Sequence, residues 1–106
     1  MFYELKLENG ESYKLRMNSK SIKDIEDKNG SLLDLFNKMK ISDAPMLLYY
    51  LIKDYNHGFG QEDGYKLYDQ LVDEGKTYED ILNIIMEGMI ASGFFKKEQL
   101  NAPTKK

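Results

Sequence analysis

Apolar and polar residues alternate along the first seventeen positions of the chain, MFYELKLENGESYKLRM. In an extended strand every second side chain points to the same face, so this alternation predicts a β-hairpin with one apolar face. The apolar positions are Tyr3, Leu5, Leu7, Tyr13, Leu15 and Met17. Because an isolated two-stranded ribbon is marginally stable in water, this face is expected to pack on helices or to join a larger sheet.

The length of the hairpin loop follows from the faces of the paired residues. Directly opposed residues share a face, and a two-residue loop would place Leu5 opposite Lys14. A three-residue loop over residues 8–10 instead pairs Leu5 with Tyr13 and brings the apolar residues to one side. We therefore predict this loop, with Gly10 left-handed in a bulge.

Beyond residue 18 the apolar spacing changes to three and four residues, which predicts helices. The predicted helices cover approximately residues 19–29, 31–39, 43–56, 61–74 and 77–93. Each is preceded by a polar residue or by a loop, and the expected N-terminal caps are Ser19 or Ser21, Ser31, Ser42 and Thr77. On the fourth helix the apolar positions are Tyr65, Leu67, Tyr68, Leu71 and Val72.

The third helix, containing PMLLYYLI, is apolar almost all round, which predicts that it is central.

The chain of 106 residues has room for one domain with one modest core. We predict an α+β, mainly α fold, in which a hairpin over 1–17 precedes about five helices packed as a small bundle over 19–94. Residues 1–94 form the single globular domain, and residues 95–106 are expected to be a polar, disordered tail.

Composition points to a soluble cytoplasmic protein. The absence of cysteine excludes a disulfide framework and a thiolate zinc site. No stretch approaches the ~20 apolar residues that span a bilayer, so we expect no membrane partner. Nucleic acid is also a poor partner, because the net charge is -3 and the single arginine leaves little capacity for contacts to bases or phosphates.

The acidic residues are concentrated in one part of the chain. Residues 61–94 carry eight acids against two lysines, whereas residues 1–60 carry nine of each sign. A solvated face that keeps the protein soluble is one interpretation. The other is an acidic inhibitor or immunity-type protein that occludes a basic partner surface.

No combination of residues predicts catalysis, a metal or another cofactor. The single histidine, His57, lies in a predicted loop next to glycines and excludes a multi-histidine metal site. The segment from Asp54 imitates a calcium loop, but it has Phe59 where a glycine is needed and Tyr65 where a glutamate should close the shell. The sequence therefore favours a non-enzymatic protein.

The segment IIMEGMIASGFF, residues 84–95, is nearly all apolar in a chain that is 31% charged. Its apolar arc is wider than the roughly 100° stripe that an outer helix of a small domain buries. Either the fifth helix is central or part of it meets a partner, since methionine and aromatic side chains adapt to varied surfaces. The residues predicted to contact a partner are Met86, Met89, Ile90, Phe94, Phe95, Tyr49 and Phe59. A surplus apolar face and free strand edges also favour a homo-oligomer.

Residues 2–96 resemble the tail assembly chaperones of long-tailed, siphovirus-type bacteriophages and prophages. The resemblance lies in the order of a short hairpin, SKSIKDIEDKNGSLLDLF, PMLLYYLIKDYNHGF and YKLYDQLVDEGKTYEDILNIIMEGMIASGFF. It implies a non-enzymatic protein of the bacterial cytoplasm during phage assembly, not expected in the mature virion. Its implied partners are the helical tape measure protein, which it keeps soluble, and the tail tube protein, whose subunits it helps to recruit.

Overall fold

A computed structural model describes residues 1–100 as a two-stranded antiparallel hairpin followed by five α-helices. The predicted α+β, mainly α fold class is therefore confirmed. The elements are β1 (Tyr3–Lys6), β2 (Ser12–Leu15), α1 (Ser19–Asn29), α2 (Leu32–Asn37), α3 (Ala44–Ile52), α4 (Gln61–Asp73) and α5 (Tyr78–Ala91). Short 3-10 turns lie at Ile41–Asp43 and Lys97–Gln99.

The hairpin has the predicted register. Tyr13 is opposite Leu5, and the Leu7 N–H donates to the Glu11 carbonyl at 2.8 Å. These pairs leave a three-residue loop that ends at Gly10, whose φ is 95°. The left-handed glycine produces the one-residue bulge that keeps the apolar side chains on the helix-facing side of the ribbon.

A side-chain hydrogen bond caps the N-terminus of each of the first two helices. Asn18, rather than Ser19 or Ser21, caps α1 by accepting a hydrogen bond from the Ser21 N–H. Ser31 caps α2 as predicted, by accepting from the Asp34 N–H at 3.3 Å. The correction at α1 has a simple reason: asparagine is as good a cap as serine, and it stands one position earlier.

The third helix is central, as predicted, but shorter than predicted. The 3-10 turn Ile41–Asp43 precedes it, so Ser42 is not its cap, and it ends at Ile52 rather than near residue 56. Pro45 lies in its first turn, where no backbone N–H is needed. Helix α3 packs against β2, α4 and α5, and most of its side chains are buried.

The hairpin is joined to the helices by backbone hydrogen bonds as well as by apolar packing. The Arg16 N–H donates to the Leu51 carbonyl on α3 at 2.7 Å. The Met17 N–H donates to the buried Ser92 hydroxyl at 2.8 Å, and that hydroxyl donates to the Gly88 carbonyl on α5. The apolar face of the ribbon thus lies on α3 and α5, and within residues 1–100 it joins no larger sheet.

Residues 95–100 differ from the predicted disordered tail. They include the 3-10 turn, and Leu100 belongs to the core with only 6% of its surface exposed. The Asn37 side chain donates to the Gln99 carbonyl at 3.3 Å, which links this segment to α2. The folded unit therefore extends at least to Leu100, and the remainder of the predicted tail, 101–106, lies outside the described residues. Among residues 1–100 no helix has both the length and the apolar character to cross a bilayer.

Candidate interaction surface

Two of the predicted contact residues are core residues in this fold. Met89 is fully buried and Met86 is 7% exposed, which corrects the expectation that they lie on a surface open to a partner. The physical reason is that α5 contacts β1, β2, α3 and α4, so its wide apolar arc is covered by the protein itself. Of the two alternatives for α5, a central helix is the one that the structure supports along most of its length.

The end of α5 is more open. Phe94 is 50% exposed, while Ile90 and Phe95 are partly buried against the core. Gly93, with φ of 87°, turns the chain out of the helix just before these two phenylalanines. Only Phe94 among these residues offers a large apolar surface to a partner.

Tyr49 and Phe59, the remaining predicted contact residues, line two different concave sites on either side of α4. The site that contains Tyr49 has a volume of about 430 Å³, and the site that contains Phe59 about 340 Å³. The structure therefore does not bring the seven predicted residues together into one surface. The two sites need to be considered separately.

The larger site, which we call the tyrosine groove, lies where α3, α4, the end of α1 and the turn before α3 meet. It is lined by Lys28, Asn29, Ser42, Asp43, Met46, Tyr49, Tyr50, Gln61, Glu62 and Tyr65. Tyr49 and Tyr50 pack edge to face with ring centroids 5.0 Å apart. The Asn29 amide contacts the Met46 sulfur at 3.8 Å. Three aromatic rings and a methionine give the groove a surface that can adapt to an apolar side chain.

A glycine sets the close approach of the two helices that form the groove. A Cβ atom added to Gly64 on α4 would lie 2.6 Å from the Pro45 carbonyl oxygen and 3.2 Å from the Tyr49 Cβ. Only a residue without a Cβ lets α4 come this near to α3. The same contact places Tyr65, the next residue of α4, at the groove opposite α3.

The charged groups that line the groove are Lys28, Asp43 and Glu62, a net charge of -1. Asp43 accepts a hydrogen bond from the Lys40 N–H at 3.0 Å, which holds the turn before α3. Glu62 has no hydrogen-bond or ion-pair partner among residues 1–100, and its side chain is exposed. The rim of the groove therefore presents an uncompensated carboxylate beside aromatic rings.

The outer face of α4 continues from the groove along the helix. Tyr65 and Val72 are 53% and 47% exposed, and Tyr68, between them, is partly buried. The face is bordered by Glu62 and Asp69, both exposed. Sequence periodicity had grouped Tyr65 and Val72 with the buried Leu71, but at roughly 100° per residue Tyr65 is about 120° from Leu71. The excessive width of that arc was the signal in the sequence that part of α4 stays uncovered.

The smaller site is a hollow between β2, the loop that follows α3 and the other side of α4. Tyr13 and Phe59 pack edge to face in it with ring centroids 5.4 Å apart. Burial, with smaller contributions from the Glu11 and Asp63 carboxylates, raises the pKa of Tyr13 above its usual 10.0. Asn56 accepts from the Lys14 N–H at 3.1 Å and donates to the Lys14 carbonyl at 2.7 Å, so it joins the hollow to the edge of β2. These contacts give the hollow a structural role.

No group of three or more histidine, aspartate or glutamate side chains within residues 1–100 is arranged to hold a metal ion. Comparisons of this chain with protein-family models, with curated proteins and with solved structures find no match.

Proposed function

We propose that the protein is a non-enzymatic tail assembly chaperone of a long-tailed bacteriophage or prophage. It acts in the bacterial cytoplasm, where it binds the helical tape measure protein, keeps it soluble and helps to recruit tail tube subunits. The order of sequence elements described above supports the family. The tyrosine groove, together with the outer face of α4, is the observation that supports binding.

This surface suits a helical partner for physical reasons. A long amphipathic helix aggregates unless its apolar stripe is covered, and a small domain can cover it reversibly with an adaptable apolar groove. Tyrosine buries a large area and loses little side-chain entropy on binding, and it tolerates water when the partner is absent. Tyr65 meets both requirements, because it lines the groove and is half exposed.

The proposal is tested by binding to the tape measure protein encoded near this protein's gene. Tyr65→Ser should leave the melting temperature nearly unchanged and weaken binding about tenfold or more, as expected for an aromatic residue at the centre of an interface. Tyr55→Ser is the matched control, since Tyr55 is 45% exposed and lines neither concave site. Absence of binding by the unmodified protein at micromolar concentration would refute the proposed function.

Phe94→Asp separates the two candidate surfaces. Because the ring is half exposed, we expect the variant to keep its melting temperature and to weaken binding less than Tyr65→Ser does. Titration of both variants against the tape measure protein measures the difference. Loss of binding with Phe94→Asp alone would place the contact at the end of α5 and remove it from the groove.

The acidic inhibitor is the second candidate function, and one observation favours it. Six of the eight acids in residues 61–94 are exposed: Glu62, Asp69, Asp73, Glu79, Asp80 and Glu87. An interface made by these charges alone would lose most of its affinity as salt is raised to 0.5 M, whereas binding through the aromatic rings of the tyrosine groove and of α4 should weaken less. Measuring the affinity for the bound partner at low salt and again at 0.5 M salt distinguishes the two functions.

A further inference from the structure

We infer that the outer face of α4 pairs with one amphipathic helix whose lysine or arginine residues flank its apolar stripe at seven-residue spacing. This inference rests on the proposed function and specifies the chemistry of the helix that is bound. The observation behind it is the repeat along α4. Tyr65 and Val72 are seven residues apart, and so are Glu62 and Asp69.

A seven-residue repeat of this kind is the pattern of one strand of a coiled coil. If Tyr65 occupies the first seam position, Tyr68 and Val72 occupy the next two, and Glu62 and Asp69 occupy the flanking position that follows the seam in each heptad. At 1.5 Å per residue the repeat spans about 10.5 Å, or two turns. Of the three seam residues, Tyr65 and Val72 are about half exposed and Tyr68 is partly buried.

The other sides of α4 explain why only this face is available. Gly64, Leu67 and Leu71 are buried in the domain. Lys66, on a third side, lines the hollow that contains Phe59. Lys66 adjoins the acidic flank, four residues after Glu62, and the charges directly beside the seam on this helix are Glu62 and Asp69.

Charge complementarity selects the partner. Glu62 and Asp69 form no ion pair or hydrogen bond within residues 1–100, although Lys66 lies one helical turn from each of them. Flanking charges of opposite sign on two paired helices determine which helix is accepted and which is rejected. Lys28 is the one lysine that lines the tyrosine groove, on the part contributed by α1 rather than on the seam of α4.

The tyrosine groove provides a second reason for a basic partner. A cation is attracted to the face of an aromatic ring when it lies within about 6 Å of the centroid. Tyr50 already accepts such a contact from Lys53, whose ammonium is 6.0 Å from the ring centroid. At the open end of the groove, Tyr65 and Glu62 together offer a ring and a carboxylate to a lysine or arginine of the bound helix.

Two synthetic helical peptides of about 28 residues test the inference. Both carry one leucine per heptad with alanine at the other seam positions, which limits self-association, and they differ only in having lysine or glutamate at the flanking positions. The protein should bind the lysine peptide about tenfold more tightly than the glutamate peptide. Equal affinity, a preference for glutamate or binding of neither peptide would overturn the inference.

Charge reversal on the protein provides the matched control. Glu62→Lys combined with Asp69→Lys should reverse the preference between the peptides. Glu79→Lys combined with Glu87→Lys changes the net charge equally at exposed positions of α5 and should preserve it. Reversal by both double variants would show attraction by net charge alone and overturn the pairing on α4.

The same variants separate this inference from the proposed function. If the Glu62→Lys/Asp69→Lys protein binds the tape measure protein as tightly as the unmodified protein does, the pairing is refuted and the chaperone function stands. If the unmodified protein prefers the lysine peptide but does not bind the tape measure protein, the pairing stands and the proposed partner is wrong.

Discussion

Gly64 shows how one residue controls both the packing and the shape of the candidate site. It is buried where α4 packs on α3, and the Pro45 carbonyl of α3 occupies the space that a side chain would need. Glycine is normally unfavourable in a helix interior, so the close contact has to compensate for its lower helix propensity. The position of Tyr65 at the groove depends on this contact.

Gly64→Ala should therefore destabilise the fold, although alanine is the better helix former. A contact of 2.6 Å with backbone cannot be relieved by a rotamer change, and overpacking of this kind costs about 1–3 kcal/mol in the free energy of unfolding. Urea unfolding followed by circular dichroism measures the change. Gly60→Ala is the control, because its added Cβ would lie 3.7 Å from its nearest neighbour, an ordinary contact.

At the scale of the element, α5 illustrates how a helix is begun by its own sequence. Thr77 accepts a hydrogen bond from the Asp80 N–H at 3.1 Å, and the Asp80 carboxylate accepts from the Thr77 N–H at 2.8 Å. These two hydrogen bonds form a capping box, and they confirm the predicted cap at Thr77. The hydrogen bond from the Thr77 backbone, and secondly the Thr77 side chain, lower the pKa of Asp80 below its usual 3.8.

The lowered pKa makes this cap sensitive to acid. A carboxyl whose pKa is lower in the folded than in the unfolded state stabilises the fold above its unfolded pKa, and that stabilisation is lost as the pH falls through the folded pKa. Asp80→Asn should therefore be less stable than the unmodified protein at pH 6, and the difference should shrink below pH 3.8. Urea unfolding at several pH values measures it.

Thr77→Ala is the companion variant for that experiment. It should lower the free energy of unfolding by about 1 kcal/mol at pH 6 and by less below pH 3.8, because the Thr77 side chain also helps to lower the pKa of Asp80. An Asp80→Asn difference that stays constant with pH would contradict the assignment of the charged capping box.

At the scale of the whole molecule, the hairpin covers α3 and α5, and the segment that ends at Leu100 adds to the core. Leu100 adds an apolar side chain to the core after the last helix, and the ribbon covers α3 and α5 from the other end of the sequence. The large apolar side chains that stay exposed are Tyr65 and Val72 on α4 and Phe94 after α5, together with Met1, Phe2, Ile41 and Tyr55. Homo-oligomerisation through the free strand edges stays a prediction.

Leu100→Ser should expose part of this core. Burial of a leucine side chain contributes roughly 1.5–3 kcal/mol, and we expect the variant to lose about that amount from the free energy of unfolding. Glu98→Ala, at an exposed position of the same turn, should have little effect. A Leu100→Ser protein as stable as the unmodified one would mean that the segment after residue 95 does not pack on the domain.

Much of the fold follows from local pattern. The hairpin register is determined by which residues share a face. Asn18 and Gly30 set the start and the end of α1, and Ser31 sets the start of α2, because caps and glycines act within a few residues. The boundaries of α3 were the least accurate, since the 3-10 turn before it satisfies the same capping preferences as a helix start.

Periodicity and capping are local properties, so the fold class, the hairpin and the approximate positions of five helices are predictable from the residues alone. Which apolar faces are covered depends on residues that are far apart in the chain: Met17 and Ser92 are joined by a hydrogen bond across 75 positions. Met86 and Met89 on α5 are buried by such contacts, whereas Tyr65 and Val72 on α4 are not. Periodicity measures the width of an apolar arc, and it contains no information on what lies against it.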